Sequence, residues 1–119
     1  MSQRTSKRSH RVSDLIHREI ATILQRETND LRLNKISITE VVVAPDLRNA
    51  RIFYTLFDRD ERLETAKALD KGVGFLRQRL AEKVALRYVP KLHFIFDENL
   101  ENAEQLASLL HRIKEVDED

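Results

Sequence analysis

Residues 63–84 read LETAKALDKGVGFLRQRLAEKV, and in them Leu63, Ala66, Leu69, Val73, Leu76, Leu80 and Val84 recur at the three-and-four spacing of one helix face. The stripe passes in phase through Gly72 and Gly74, the only two glycines of the 119-residue chain. Phase kept on both sides predicts two helices nearly continuous with each other. Two glycines in three residues weaken the middle and permit a kink between them. A helical connection of this length makes the strands on either side of it parallel, with a right-handed crossover.

The flanking segments supply those strands. Residues 35–44 are dense in isoleucine, threonine and valine and stop at Pro45, which reads as a strand. Its alternation breaks at Glu40, where a bulge or burial of both faces is expected. Residues 45–49 carry proline, aspartate and asparagine and form a turn, and residues 50–57 read as a second strand, completing a hairpin. Ala50, Ile52, Tyr54 and Leu56 are assigned to the helix-covered core. Arg51, Phe53, Thr55 and Phe57 take the opposite face, where ordinary sheet packing outweighs base stacking. Asp58, Asp60, Glu61 and Glu64 open the crossover helix, and capping with the helix dipole explains Asp58 and Asp60 better than a metal does. Tyr88, Val89 and Pro90 end the helix after Arg87, and residues 92–96 alternate as a third strand.

Both ends read as helix. Val12, Leu15, Ile16, Ile20, Ile23 and Leu24 define an amphipathic helix over about residues 9–26, with Arg11, Arg18 and Gln25 opposite. Leu100, Leu106, Leu109, Leu110 and Ile113 suggest an acidic helix over about residues 99–115. The expected fold is therefore α+β, in the order α-β-β-α-kink-α-β. Its three-stranded mixed sheet, ordered one-two-three, is covered by helices on one face, with the acidic helix appended. This is the topology of a type II KH-like domain. The Gly-x-x-Gly loop by which a KH module clamps a nucleic-acid backbone is absent, replaced by Gly72-Val73-Gly74, so RNA binding would need another surface.

Composition narrows the chemistry. At 41% hydrophobic and 34% charged residues, 119 residues suit one core, divided as a basic arm over 1–10, the KH-like domain over 11–98 and an acidic helix and tail over 99–119. No cysteine means no disulfide framework, thiol nucleophile or cysteine-based zinc site. Two glycines cannot make a dinucleotide fingerprint or a P-loop. The longest purely apolar run is residues 41–44, far short of a membrane span, and a soluble protein is expected. His10, His17, His93 and His111 are scattered and make no metal triad, no catalytic constellation stands out, and neither cofactor nor metal is expected.

The net charge of +1 hides a strong segregation. Residues 1–26 carry Arg4, Lys7, Arg8, Arg11, Arg18 and Arg26 against Asp14 and Glu19, a net +4. Residues 71–91 carry Lys71, Arg77, Arg79, Lys83, Arg87 and Lys91 against Glu82, a net +5, whereas residues 97–119 have a net of −6. Such a distribution focuses a field toward a polyanion if the fold brings the basic segments together.

Several runs, in this order and spacing, resemble the bacterial ribosome-binding factor A family from Arg11 to about Leu110. They are Arg11-Val12, Arg18-Glu19-Ile20, Ile23-Leu24-Gln25-Arg26-Glu27, Asp30 and Arg32-Leu33. Asp46-Leu47-Arg48-Asn49-Ala50, Gly74-Phe75-Leu76-Arg77 and Arg87-Tyr88-Val89-Pro90-Lys91-Leu92-His93-Phe94, followed by Asp97, complete the set. The family has an Ala-x-Gly kink where this chain has Gly72-Val73-Gly74. The resemblance implies a cytoplasmic, monomeric, non-catalytic protein that binds the free or immature 30S subunit and its 16S rRNA near the 5′ end, neck and decoding regions. It also implies help in 5′-end processing, support of growth in the cold and departure before translation. On this reading Arg4, Lys7, Arg8, Arg11, Arg18, Arg48, Arg51, Arg77, Arg79, Lys83 and Arg87 are the expected RNA contacts, with Gly72 and Gly74 as the interhelical kink. The competing expectations are a module that binds partner proteins through its basic and acidic helices, and a small enzyme acting on RNA ends.

Overall fold

The computed structural model describes residues 7–98. Arg4 and the acidic helix expected over 99–115 lie outside the described residues. Helix α1, Lys7–Thr22, buries Val12, Ile16 and Ile20, and the chain continues into a π-helical turn, Ile23–Glu27. Both Ile23 and Leu24 are fully buried in that turn. The side-chain amide of Asn34 donates to the Leu24 and Thr28 carbonyls at 2.9 and 3.2 Å, satisfying acceptors that the helix end leaves open.

A short helix α2, Leu31–Asn34, was not expected from the apolar pattern, because four residues are too few to show a period. Asp30 caps it, accepting from the Arg32 N–H at 2.9 Å, and Leu33 enters the core. Strands β1, Ser37–Val43, and β2, Asn49–Thr55, pair antiparallel, with the expected irregularity between Ile38 and Glu40. Strand β3, Lys91–Phe96, pairs parallel with β2, and the order is β1-β2-β3. Ala50, Ile52, Tyr54 and Leu56 are buried beneath the helices, as their alternation requires. Phe57 lies beyond the end of β2 and is fully exposed, so the outward face of that strand holds only Arg51, Phe53 and Thr55 of the expected set.

Helix α3, Arg62–Lys83, follows a short 3-10 turn, Arg59–Glu61, in which Asp58 accepts from the Asp60 N–H at 2.9 Å. The two helices expected about a kink are one helix here. It passes through Gly72 and Gly74 without an interruption, and neither glycine has a positive φ. Its buried face is also shifted at the start: Leu63 is exposed, whereas Thr65, Ala68 and Leu69 face inward with Leu76 and Leu80. Small residues there allow close approach to α2, and a Cβ on Gly72 would stand 3.4 Å from Leu33 Cδ1. The helix ends at Lys83, four residues before the expected Arg87. The reason is reach: residues 84–90 must cross from the helix layer to the edge of the sheet, which an extended chain manages at about 3.3–3.6 Å per residue and a helix does not.

Because both glycines lie at helical φ, alanine there should stabilise the fold by restricting the unfolded chain. A Cβ on Gly74 meets nothing within 4 Å, so Gly74→Ala should add about 0.5–1 kcal/mol, and Gly72→Ala, which touches Leu33, about the same or somewhat less. Denaturant midpoints at unchanged m-value check this; a lowered midpoint for Gly74→Ala contradicts it.

Candidate nucleic-acid interface

At one edge of the sheet three segments distant in sequence converge: the first turns of α1, the β1–β2 turn and the connection from α3 into β3. Between them runs a groove of about 590 Å³. Its polar lining is Arg8, Asp46, Arg48, Arg87, Tyr88 and Lys91, over an apolar floor of Val12, Leu47, Leu86, Val89 and Pro90.

Local bonds hold each side in place. In the turn, the Leu47 N–H donates to the Ala44 carbonyl at 2.8 Å, and Asp46 Oδ1 accepts from the Arg48 N–H at 2.9 Å. Leu47 has φ 63°, a conformation that costs a non-glycine residue roughly 1–2 kcal/mol, and its side chain is anchored against the core. On the other side, Arg77 Nη2 donates to the Val89 carbonyl at 2.9 Å, Pro90 is buried, and the Lys91 N–H donates to the Arg48 carbonyl at 2.9 Å. The third side is tied down where Ser13 Oγ accepts from the buried Val43 N–H at 3.0 Å, fixing α1 to the end of β1.

Of the expected RNA contacts, Arg8, Arg48 and Arg87 meet in this groove, and Lys91 joins them. None of these four forms a salt bridge among the described residues. Arg77 sits behind the connection as a brace. Lys7 and Arg11 are exposed on α1; Arg18, also exposed, is about 15 Å further along the helix than Arg8 and lies 3.8 Å from Glu19. Arg51 lies on the open face of the sheet, in a cross-strand row with Val42 and His93, with its guanidinium 6.0 Å from the Phe53 ring centroid. Arg79 and Lys83 are otherwise engaged. Glu27 Oε1 accepts from Arg79 Nε at 2.9 Å and Nη2 at 2.5 Å, and Glu27 Oε2 pairs with Lys83 Nζ at 2.5 Å. Arg79 also meets Glu82 at 2.7 Å.

Tyr88, Lys91 and Glu27 were not singled out from the sequence as site residues. An aromatic residue between two cations in a proline-bearing connection was the available signal for the first two. For Glu27 there was none, because its partners are 52 and 56 residues away.

Comparison with known proteins places these features in context. A family model described as ribosome-binding factor A matches residues 8–110. The chain is 46% identical over 113 residues to ribosome-binding factor A of Coxiella burnetii, covering 95% of each chain. It is 41% identical over 111 residues to that of Thermomicrobium roseum, covering 92% of this chain and 86% of the other. The crystal structure of ribosome-binding factor A from Thermus thermophilus shares the fold at a TM-score of 0.66 and 23% identity, over 74% of this chain and 93% of that one. A homology model of the Thermus thermophilus factor, fitted into a cryo-electron microscopy map of its complex with the 30S subunit, matches at a TM-score of 0.57 and 24% identity. The match covers 69% of this chain and 87% of that one.

The Glu27 cluster has a pH signature. Hydrogen bonds from Lys83 and then Arg79 hold the Glu27 carboxyl below its ordinary value of 4.5. The stabilisation is therefore fully present above pH 4.5 and is lost as pH falls through the lower folded value. Glu27→Gln should lower the denaturant midpoint at pH 7, and the gap to the parent should close as the pH is taken well below 4.5. A gap that is constant across that range would show that the carboxylate charge contributes nothing.

Proposed function

The chain belongs to the ribosome-binding factor A family, and from that membership we propose that it binds the immature 30S subunit through 16S rRNA. It acts there as a non-catalytic cytoplasmic factor in late subunit maturation and 5′-end processing, including growth in the cold. The observation that carries the reading is the convergence of Arg8, Arg48, Arg87 and Lys91 on one groove, with none of the four in a salt bridge among the described residues. Cations left without carboxylate partners keep their full attraction for phosphates, and binding releases the counterions condensed on the nucleic acid. The Thermus thermophilus relative has been fitted to a map of a 30S complex, which supports the same partner for this chain.

In this reading residues 1–10 contribute a basic arm, residues 11–98 form the RNA-binding domain, and the net negative charge of residues 99–119 makes binding orientation-selective by repelling RNA. Lys7 and Arg11, exposed on α1, extend the basic surface from the groove, Arg4 adds positive charge to the arm, Arg18 and Arg51 add flanking charge, and Arg77 works through the connection it braces. Arg79 and Lys83 contribute to the field, with their charges partly offset by Glu27.

If four phosphates are neutralised, the log–log salt dependence for single-stranded RNA should have a slope of about −3, or roughly fiftyfold weaker binding at 200 mM than at 50 mM salt. The double variant Arg48→Glu, Arg87→Glu should weaken association with 30S particles by at least about tenfold and flatten that slope by about 1–2, with the circular dichroism spectrum unchanged. Sedimentation of the protein with particles carrying immature or mature rRNA ends measures both. Association indifferent to salt and to the double variant would overturn the proposal.

A further inference from the structure

We propose that Tyr88 is a stacking seat for an unpaired base, so that the groove takes a single-stranded RNA segment rather than a duplex. The inference rests on the RNA-binding reading of the same groove and adds to it the form of RNA that fits. Tyr88 is 75% exposed although it is a large aromatic side chain on a segment whose neighbour Pro90 is buried. Water contact over most of a ring is unfavourable, so an exposed ring beside a buried proline is a surface that a partner can cover. Arg77 holds the Val89 carbonyl from behind, and the Lys91 N–H is bonded to Arg48. The ring is therefore carried by a connection whose backbone is held directly after it, at Val89 and Lys91, which lowers the cost of ordering it on binding.

What surrounds the ring specifies that partner. The Arg87 guanidinium lies 5.6 Å from the Tyr88 ring centroid, so a cation accompanies the aromatic surface. Arg8, Arg48 and Lys91 line the same groove as the ring, outnumbering the one acid, Asp46, that lines it with them. An aromatic face set among cations matches a nucleotide strand whose phosphates follow the charges and whose base lies on the ring. A duplex cannot stack on the ring, because its base faces are stacked inside the helix and only base edges, sugar and phosphate reach its surface. An acidic peptide would satisfy the cations and likewise leave the ring exposed.

The test uses the full chain and an RNA of about twelve nucleotides carrying one 2-aminopurine, either single-stranded or annealed to its complement. Polyglutamate of similar charge serves as the competing polyanion. The parent protein should bind the single strand more tightly than the duplex and quench the 2-aminopurine. Tyr88→Ala should abolish the quenching and weaken single-strand binding about tenfold, leaving duplex binding and the salt slope unchanged, because no charge is lost. Tyr88→Phe, which keeps the ring, should behave as the parent. Thermal melts confirm that each variant is folded.

Equal losses on single strand and duplex, no loss on either, or failure of the parent to bind the single strand would each overturn the inference. Polyglutamate binding as tight as that of the single strand would overturn it in favour of an acidic protein segment. The broader reading fails independently: a neutral Tyr88→Ala beside an impaired Arg48→Glu, Arg87→Glu double variant sinks the stacking seat alone. If 30S association is indifferent to every variant, the functional proposal falls with it.

Discussion

The constraint on which the architecture depends is the parallel pairing of β3 with β2, registered as Asn49 opposite Lys91 through Tyr54 opposite Phe96. Parallel neighbours begin at the same edge of a sheet, so the chain must travel its full height between them, and α3 makes that journey. Its buried residues Ala68, Leu69, Leu76 and Leu80 then close over Ile52 and Tyr54 with α1 alongside. The same pairing has a second effect. The turn that precedes β2 and the connection that precedes β3 must lie side by side, and the bond from the Lys91 N–H to the Arg48 carbonyl joins them. The basic groove is in that sense a by-product of strand direction: two loops entering parallel strands share an edge, and the start of α1 is fixed to that edge by Ser13 and Val43.

Charge is divided between two tasks. On the far half of α3, Arg79 and Lys83 converge on Glu27, whose side chain is only 17% exposed, and together they tie the crossover helix to the π-helical end of α1. Partial burial of a carboxylate is tolerable because two cations hydrogen-bond it from separate positions on one helix. At the groove the balance is reversed. There Asp46 spends one carboxylate oxygen on the Arg48 backbone N–H, a turn-forming bond. Positive side chains that look alike in the sequence thus have different fates, according to whether an acid comes within reach in space.

The glycine pair shows how a strong local signal can be read correctly in kind and incompletely in form. The stripe kept its phase across Gly72 and Gly74, neither glycine has a positive φ, and the crossover it implied is present. The expected division into two helices is not there, because nothing in the packing requires the backbone to leave the helix. What Gly72 supplies is proximity, letting α3 approach Leu33 on a short helix that the apolar pattern had not revealed. Leu63 departs from its stripe for a related reason: with small Thr65 and Ala68 facing inward, that turn of α3 buries them and leaves the leucine outside.

The sequence by itself determined the order of the strands and of the long helices between and before them, the mixed sheet and its one-two-three arrangement, the irregularity near Glu40 and the buried set of β2, since each follows from periodicity, turn chemistry or the handedness of crossovers. The family was legible too, in runs of residues spread along nearly the whole chain. Only the tertiary structure decided where α3 stops, since that depends on the distance the chain must cross to take its place beside β2. Only the structure decided which cations stand together. Arg8, Arg48, Arg87 and Lys91 come from three separate segments, and their meeting is set by strand register and by one helix-to-strand hydrogen bond. Periodicity records which face of an element is buried, whereas a binding site is made by side chains that point away from that face, and for those the sequence carries no spacing rule.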